Sequence, residues 1–298
     1  MSGPVELTEG EPAEVPALVD LICARVPKAP RAEVAWMWSS PAECPDLVTL
    51  VARDANGTPL GVGRLTTPVL LPRSWAVINA TVARAAEGTG VGAALYAGLL
   101  ARVRDDVDQL RVTVDADDER SVAIAGHWGF EVVQVSIESE LDLVATPLPA
   151  PAPGDGVVLE DATTFTFADH DAVAAMLLAS QTNPEAVAGM VADLDDLRRG
   201  GGDAPVAVLA RVDGSPAGIT VGRVEDARLF IDYTGVDPAF RGHGLALLLK
   251  QQAHLDAVAL GATSSRTNNA EHNTGIRRVN ADLGYQVGRS LARLRRML

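Results

Sequence analysis

The sequence predicts an α/β fold of the mixed-sheet (α+β) kind, in which a mostly antiparallel sheet is flanked by helices, and it predicts this domain twice in tandem. Three observations support the prediction. Hairpin-like pairs of apolar runs are followed by alternating helix and strand patterns, and glycine-rich turns precede the longest helices. The whole pattern also recurs after about 155 residues, a period that duplicates a complete domain and is too long for a solenoid.

A Pro/Gly-rich segment separates the two copies. Residues 148–156 read LPAPAPGDG, and alternating prolines break both helix and strand and favour extended, solvated backbone. We therefore predict an N-terminal domain at 1–147, a linker at 148–156 and a C-terminal domain at 157–298.

The elements of the second copy follow from its apolar periodicity and turn residues. The predicted order is a strand at 157–160, helices at 169–180 and 184–199, strands at 205–212, 216–224 and 227–236, a helix at 243–260, a strand at 262–267, a helix at 272–283 and two closing strands. Hairpin-linked strands followed by strand–helix units give a mixed sheet with helices on both faces. In such a sheet a ligand binds where neighbouring strands splay, beside the glycine turn.

Composition excludes several classes of protein. A chain of 298 residues with 47% hydrophobic and 21% charged residues is globular, and it is long enough for one large or two modest domains. The net charge of −14 argues against nucleic-acid binding, which needs a basic surface, and it is compatible with a cationic substrate.

The remaining composition predicts a cytoplasmic protein without a metal. Cys23 and Cys44 are too few for a disulfide framework and suggest incidental thiols in a reducing compartment. The acidic N-terminus lacks the features of a signal peptide, and no apolar run approaches the length of a membrane span. The five histidines are scattered and form no metal-ligand spacing.

The most informative segment is a glycine turn between a predicted strand and a long helix. Residues 241–246 read RGHGLA. Glycine lets the backbone approach a ligand closely, and the free amides at the start of a helix point at an anion bound there. The segment therefore predicts a diphosphate-binding turn, although many strand-to-helix turns need glycine for steric reasons alone.

Two motifs together resemble one family. Residues 236–246 (VDPAFRGHGLA) resemble the acyl-CoA-binding signature of the GNAT N-acetyltransferase superfamily, including the V-x-P that precedes it. Residues 267–285 resemble the next segment of that family, in which a strand ends in Asn and a helix closes on Leu-Gly-aromatic. The two motifs stand in the family's order, so they are more specific together than either is alone.

The resemblance implies acetyl-CoA as cosubstrate and direct transfer of its acetyl group to an amine, with both substrates bound and no covalent acyl-enzyme. It places the acyl-CoA contacts on the end of the third strand, the glycine turn and the Asn-rich segment. The expected contacts are Thr234, Gly235, Val236, Arg241, Gly242, His243, Gly244, Leu245, Ala246, Asn268 and Asn273. Gly235 is expected either to ease a bulge or splay in its strand or to be a structural glycine.

The resemblance also implies a base for the amine's proton. Members of the family often use a carboxylate on the third strand, and Asp232 is the one carboxylate in the apolar run LFIDYT. A charged residue among such neighbours is costly unless it is used or exposed. The alternatives are that Asp232 lies on a solvated face or neutralises an arginine; Glu225 and Glu271 are the other candidate bases.

The residue at the position from which the family protonates the leaving thiolate differs in this chain. Many members have a Tyr five residues before the final aromatic, and this chain has Asn280 there. An amide cannot act as an acid, but Asn280 could hydrogen-bond the sulfur or orient a water molecule. Tyr233 and Tyr285 are possible substitutes, and Tyr285 stands where the family usually places a core aromatic.

The first copy is predicted to be degenerate. Its turn keeps the glycines at 88–92 (GTGVG), but Glu87 stands at the position of Arg241 and Asp118 at that of Asn273. Carboxylates repel a diphosphate, although Asp118 could simply cap a helix. The first domain is therefore expected to bind acyl-CoA weakly, to bind it without turnover, or to have lost it.

These observations predict a tandem N-acetyltransferase acting on a primary amine of a small molecule: an antibiotic, a metabolite or a biosynthetic intermediate. The architecture resembles two-domain members of the family such as mycothiol synthase and antibiotic-pathway acetyltransferases. Two alternatives stay open, a protein or peptide N-acetyltransferase and a non-catalytic acyl-CoA-binding or regulatory protein. Nucleic acid and membrane are not expected partners, and the chain is expected to be a monomer or a homodimer.

Overall fold

The computed structural model describes residues 5–27, 29, 31–39, 46–68, 71–163, 170–181 and 204–298. The chain divides into two compact units, one of residues 1–133 with 292–298 and one of residues 134–291. The linker predicted at 148–156 thus lies inside the second unit. The division differs because β6 (Glu131–Asp142) and β12 (Gln286–Met297) are long strands, and each contributes residues to both units.

The first unit contains a sheet in the order β1-β2-β3-β4-β5, followed by the end of β12. Its strands are β1 (Glu6–Glu9), β2 (Val48–Arg53), β3 (Pro59–Thr66), β4 (Trp75–Val82) and β5 (Gln109–Asp115). Its helices are α1 (Val15–Arg25), α2 (Arg31–Ser39), α3 (Val91–Leu100) and α4 (Glu119–His127). The β4–β5 pair is parallel, and the pairs from β1 to β4 are antiparallel.

The second unit repeats this arrangement, with the strand order β12-β6-β11-β10-β9-β8-β7. Its further strands are β7 (Val157–Asp161), β8 (Pro205–Val212), β9 (Ser215–Glu225), β10 (Arg228–Val236) and β11 (Ser264–Ala270). Its described helices are α5 (His170–Ser180), α6 (Leu245–Ala259) and α7 (Thr274–Asp282). The β10–β11 pair is parallel, and the pairs from β7 to β10 and from β11 to β6 are antiparallel.

The predicted fold class is confirmed, and the elements of the second copy lie close to their predicted bounds. Two predictions need comment. The helix predicted at 184–199 lies outside the described residues. The prediction of two closing strands is wrong, because a single strand, β12, covers 286–297. None of its residues has the positive φ of a tight turn that would divide it into two strands.

The long helix of the second unit is held on the sheet by one apolar face. Leu245, Leu249, Ala253 and Ala257 follow one another at four-residue spacing and are buried, together with Leu229 of β10. Each leucine buried in this way stabilises the fold by roughly 1.5–3 kcal/mol. This packing fixes the N-terminal end of α6 beside the end of β10, where the candidate site lies.

Within the described residues, no helix is both long and apolar enough to cross a membrane. In the same part of the chain no group of three or more His, Cys, Asp or Glu side chains is arranged to hold a metal ion. Cys23 is a free thiol, and Cys44 lies outside the described residues.

Candidate active site

The third strand of the second unit, β10, contains a bulge at Asp232. Ile231 pairs with Gly222 of β9 and Tyr233 pairs with the next residue, Val221, so Asp232 has no partner residue. A Cβ atom at Gly222 would overlap the carbonyl oxygen of Phe230, so this close approach requires glycine. The bulge turns Asp232 out of the regular alternation of the strand.

The bulge lies where β10 and β11 separate. Their parallel pairing ends at Ile231 and Thr267, although β10 continues to Val236 and β11 continues to Ala270. A narrow cleft occupies the gap. It is lined by residues 231–234 of β10, residues 267–269 of β11, Asn273 and Ile276. The cleft therefore brings together five of the predicted site residues, namely Asp232, Tyr233, Thr234, Asn268 and Asn273.

The glycine turn follows the end of β10 and starts α6. Gly242 and Gly244 have φ of 84° and 76°, the left-handed region that favours glycine, and a Cβ atom on either would meet no other atom within 4 Å. Among the described residues, no hydrogen-bond acceptor is found for the five backbone amides from Gly242 to Ala246. Five free amides at a helix start, beside open space, are suited to bind a diphosphate.

Arg241 holds this turn in place. Its guanidinium donates to the carbonyl oxygens of Val236, at 3.0 Å, and of Ser180 at the end of α5, at 3.2 Å. The side chain therefore joins the turn to β10 and α5, and the backbone amides are the free donors. His243 is exposed, and its Nδ1 lies 3.3 Å from the carbonyl oxygen of Phe240.

Asp232 faces one guanidinium and a second carboxylate. Both of its carboxylate oxygens lie 2.7 Å from Nη1 of Arg223, whose Nε lies 3.7 Å from Glu225. Partial burial raises the pKa of Asp232, Arg223 opposes the rise, and Glu225 adds to it. Because 37% of the side chain stays exposed, hydration moderates the rise. A carboxylate with a raised pKa is a better proton acceptor.

The neighbouring residues of β10 differ in their orientation. The hydroxyl of Tyr233 lies 2.5 Å from Oγ of Ser180, and the Thr234 hydroxyl lies 2.6 Å from that of Thr220. A Cβ atom at Gly235 would overlap the Tyr233 hydroxyl. Gly235 thus makes room for the Tyr233–Ser180 contact; the bulge, expected near Gly235 as one possibility, is at Asp232 instead.

The three predicted asparagines have separate positions. Asn268 is exposed on β11 at the cleft, and Asn273 caps α7 by accepting from the amide of Ile276 at 3.4 Å. Asn280 is buried and donates to Oδ1 of Asn269 at 2.7 Å. Asn280 is thus connected to the cleft through Asn269, which lines it.

Tyr285 and Glu271 do not line the cleft. Tyr285 is buried, and its hydroxyl lies 2.6 Å from Oγ of Ser265 and 2.8 Å from Nε2 of His254. Burial raises the pKa of Tyr285. Tyr285 therefore has the position of a core aromatic whose hydroxyl is hydrogen-bonded. This position is the one that the sequence offered as the alternative to a role as the acid.

A larger concavity of about 540 Å³ lies between residues 146–149 and the facing parts of α6 and α7. None of the predicted site residues lines it. The bulge and five predicted site residues are at the smaller cleft, and the free amides follow the end of β10, which lines it, so we place the candidate active site there.

The buried His254 predicts a pH dependence of stability. Burial, and then the cation of Lys250, lower the pKa of His254 from 6.5 to about 3. Between these values the unfolded chain binds a proton that the folded chain does not. The free energy of unfolding should therefore fall as the pH drops below 6.5, by up to about 1.4 kcal/mol per pH unit.

Urea unfolding of the wild type and His254→Gln at pH values from 7 to 4 tests this expectation. The carboxylates titrate alike in both proteins, so the difference between the two curves isolates His254. The variant should lose less stability with falling pH, and parallel curves would show that His254 titrates normally.

The first unit has the same turn but different side chains around it. The carboxylate of Glu87 forms ion pairs with Arg25 of α1 and Arg120 of α4. Arg25 also lies 3.2 Å from Asp118, which caps α4 by accepting from the Ser121 amide. These four side chains neutralise one another beside the turn, so that the two arginines are already paired with carboxylates.

The first unit also lacks the bulge. Residues 77–82 of β4 pair with 61–66 of β3 without a register shift. The parallel β4–β5 pairing nevertheless ends early, at Val77 and Arg111. The first unit thus keeps the strand arrangement but has no bulge, and two carboxylates lie beside its turn.

Two residues of the site, Arg223 and Lys250, were not predicted, whereas Asn269 belongs to the Asn-rich segment in which acyl-CoA contacts were expected. Arg223 contacts Asp232 from the adjacent strand, Lys250 is fully buried in α6, and Asn269 lines the cleft. Lys250 had a signal in the sequence, because it is one of two lysines in the chain and stands in a long apolar helix. The pairing of Arg223 with Asp232 crosses a hairpin and had no local signal.

Residues 162–285 match the model of the acetyltransferase (GNAT) family. We call this stretch the GNAT domain, after the family whose model it matches. The match covers the bulge, the cleft and the glycine turn of the second unit. Acyl transfer is the general chemistry of the family whose model this stretch matches.

The fold of the whole chain is similar to that of several solved structures, one of which is a tandem GNAT protein. A GCN5-related N-acetyltransferase from Sphaerobacter thermophilus is 18% identical, with TM-score 0.74, covering 100% of this chain and 97% of its own. A tandem GNAT protein from the clavulanic acid biosynthesis pathway is 24% identical, with TM-score 0.69, covering 99% of this chain and 98% of its own.

A third similar structure is the glucosamine N-acetyltransferase region of a fungal multi-domain β-N-acetylglucosaminidase. It is 14% identical, with TM-score 0.72, covering 99% of this chain and 38% of that one. No curated protein sequence is significantly similar to the chain. At these identities the structural likeness concerns the fold, and it supports two tandem GNAT-fold units.

Proposed function

We propose that the GNAT domain is an acetyl-CoA-dependent N-acetyltransferase that transfers an acetyl group to a primary amine of a small molecule, and that the first unit does not turn over acetyl-CoA. One observation carries the proposal. The strand β10, which lines the cleft and presents Asp232 there at its bulge, leads into a turn whose amides from Gly242 to Ala246 are free.

The residues present fit acetyl-CoA. The free amides of the turn, at the start of α6, would hold its diphosphate, and the open space at Gly242 and Gly244 leaves room for it. The edge of β10 after Ile231, which has no parallel partner, offers backbone groups at Thr234 to Val236. When bound, acetyl-CoA supplies an acetyl group activated as a thioester.

The chain's own residues supply the acceptor side. Asp232 and Glu225 place two carboxylates around Arg223 next to the cleft, a surface that favours a protonated amine. Asp232 then takes a proton from the ammonium group, directly or through water, so that the neutral nitrogen can attack. Backbone amides at the end of β10, from Thr234 to Val236, would donate to the acyl carbonyl oxygen and polarise it.

The first unit is proposed as a degenerate copy. Arg25, Glu87, Asp118 and Arg120 form a closed ion cluster beside its glycine turn, and β4 has no bulge. The two carboxylates of this cluster would repel an anionic ligand at the turn. A cytoplasmic location and a monomeric or homodimeric state stay predictions.

An acceptor screen tests the proposed function. The protein is incubated with acetyl-CoA and a panel of small amines, and the released CoA thiol is titrated with a chromogenic disulfide. The panel contains amino sugars, aminoglycosides, polyamines and amino acids, since one structural neighbour is named for glucosamine and another for the clavulanic acid biosynthesis pathway. Lysine- and N-terminus-bearing peptides form a second panel.

Release that depends on a small amine supports the proposal. Release only with peptides would instead identify a protein or peptide N-acetyltransferase. Binding of acetyl-CoA with no release on either panel would favour the non-catalytic acyl-CoA-binding alternative, to which the absence of a tyrosine at Asn280 also points.

A further inference from the structure

Lys250 is a lysine with no exposed surface, on the helix that begins at the glycine turn. Its ammonium group donates to Oδ1 of Asn280 at 2.7 Å and lies 5.3 Å from the centre of the Tyr285 ring. An ammonium group carries donors only, so it can face the carbonyl oxygen of Asn280 but not its NH₂ group. Lys250 therefore fixes which way the amide of Asn280 points.

Asn280 passes this orientation to Asn269. With its oxygen toward Lys250, Asn280 directs Nδ2 away and donates to Oδ1 of Asn269 at 2.7 Å. Asn269 accepts through Oδ1, so its Nδ2 group is available as a donor. No acceptor for that group is found among the described residues. Because Asn269 lines the cleft, the chain of amides that starts at a buried cation ends in a hydrogen-bond donor at the cleft.

The free-energy cost of burying Lys250 indicates that this hydrogen-bonded arrangement has a functional role. Removing an ammonium group from water costs several kcal/mol, and replacing buried charged groups by apolar residues of similar volume is often neutral or stabilising. The stability of the fold therefore gives no reason to have a lysine rather than a methionine at this position. The hydrogen bonds to Asn280 and Asn269 connect the charge to the cleft instead.

We propose that Lys250 is a positioning residue for acyl transfer, which through Asn280 orients the amide of Asn269 to stabilise the departing thiolate. This inference rests on the proposed function. In that reaction the amine nitrogen forms a bond to the acyl carbon while the C–S bond breaks. The electron pair of the broken bond leaves with sulfur, and the amine's proton passes to the base.

The hydrogen bond from Asn269 and the charge of Lys250 favour the anionic sulfur, and neither residue gives up a proton. The arrangement accounts for an amide at position 280, where the family often has a tyrosine. A proton donor is not required there, since a thiolate is a stable leaving group and the buried cation stabilises it further.

The pKa of the CoA thiol, bound to the full-length protein, tests the inference without an acceptor. Thiolate formation is followed by its ultraviolet absorbance across pH for saturated wild type, Lys250→Met and Asn280→Asp. In the wild type the thiol pKa should lie about one unit below that of free CoA, roughly a tenfold increase in its acid dissociation constant. Lys250→Met should abolish most of this shift.

Asn280→Asp gives an independent result should Lys250→Met fail to fold. The new carboxylate would pair with Lys250, cancel its charge and accept from Asn269, whose oxygen would then face the cleft. The bound thiol pKa should rise above the wild-type value. A thiol pKa that is the same in the wild type and in either folded variant would overturn the inference.

His254→Gln is the matched control, because His254 lies one turn after Lys250 on α6 and is equally buried but has no hydrogen bond to Asn280. It should leave the bound thiol pKa unchanged. A merely structural role of Lys250 would change the melting temperature or the affinity for CoA but not the thiol pKa at saturation. Absence of CoA binding to the wild type would instead overturn the proposed function, and this inference with it.

Discussion

Gly244→Trp is expected to abolish measurable binding of acetyl-CoA. Gly244 precedes α6 with φ of 76°, and the space beside it is open. An indole there would fill the space in which the diphosphate meets the amides of Gly242 to Ala246. Hydrogen bonds to charged groups contribute about 1.5–3 kcal/mol each, so the loss of two lowers the affinity by about 100-fold or more. Calorimetric titration with acetyl-CoA measures the effect.

The first unit supplies a matched control. Gly90 precedes α3 with φ of 90°, and it too has no atom within 4 Å of a built Cβ. Tryptophan at either position incurs a similar backbone strain of about 1–2 kcal/mol. Gly90→Trp should lower the melting temperature as much as Gly244→Trp but keep one acetyl-CoA site. Loss of binding in Gly90→Trp alone would assign the acetyl-CoA site to the first unit.

Asp232→Asn is expected to reduce the rate of acyl transfer by about 10²- to 10⁴-fold, the usual contribution of a positioned general base. The affinity for acetyl-CoA should change little, since the variant keeps the bulge and the glycine turn. The pH profile provides a second readout. Because the pKa of Asp232 is raised, the wild-type rate should fall with decreasing pH at a point above the ordinary value of 3.8.

Glu225→Gln is the control for this variant, because Glu225 faces the same arginine and does not line the cleft. Its rate at saturating amine should stay close to that of the wild type, because Glu225 is proposed to attract the amine and not to take its proton. A large loss in Glu225→Gln with a small loss in Asp232→Asn would exchange the two roles. Both rates are measured with the amine that the acceptor screen identifies.

The features that depend on local sequence were predictable. The glycine turn, the hairpins and the order of strands and helices follow from residue types within a few positions of one another, and the fold class and the GNAT resemblance are confirmed. The position of the turn after β10 followed from the order of the elements. The individual roles of the site residues stay predictions.

The features that depend on distant residues were not predictable in the same way. The bulge at Asp232 requires Gly222 on the neighbouring strand, and no pattern around Asp232 specifies that partner. Lys250 and Asn280 are 30 residues apart, and Asn269 and Asn280 are 11 apart, so their hydrogen bonds exist only in the folded sheet. The division of β6 and β12 between the two units depends likewise on long-range pairing.

Hydrogen–deuterium exchange with and without acetyl-CoA tests the central claim most directly, because it reports on the free amides themselves. Bound acetyl-CoA should slow exchange in the segment 242–246 and leave the corresponding segment 88–92 of the first unit unchanged. Protection of 88–92 with none at 242–246 would contradict the assignment of the second unit as the acyltransferase, and protection of neither segment would contradict acetyl-CoA binding at the glycine turns.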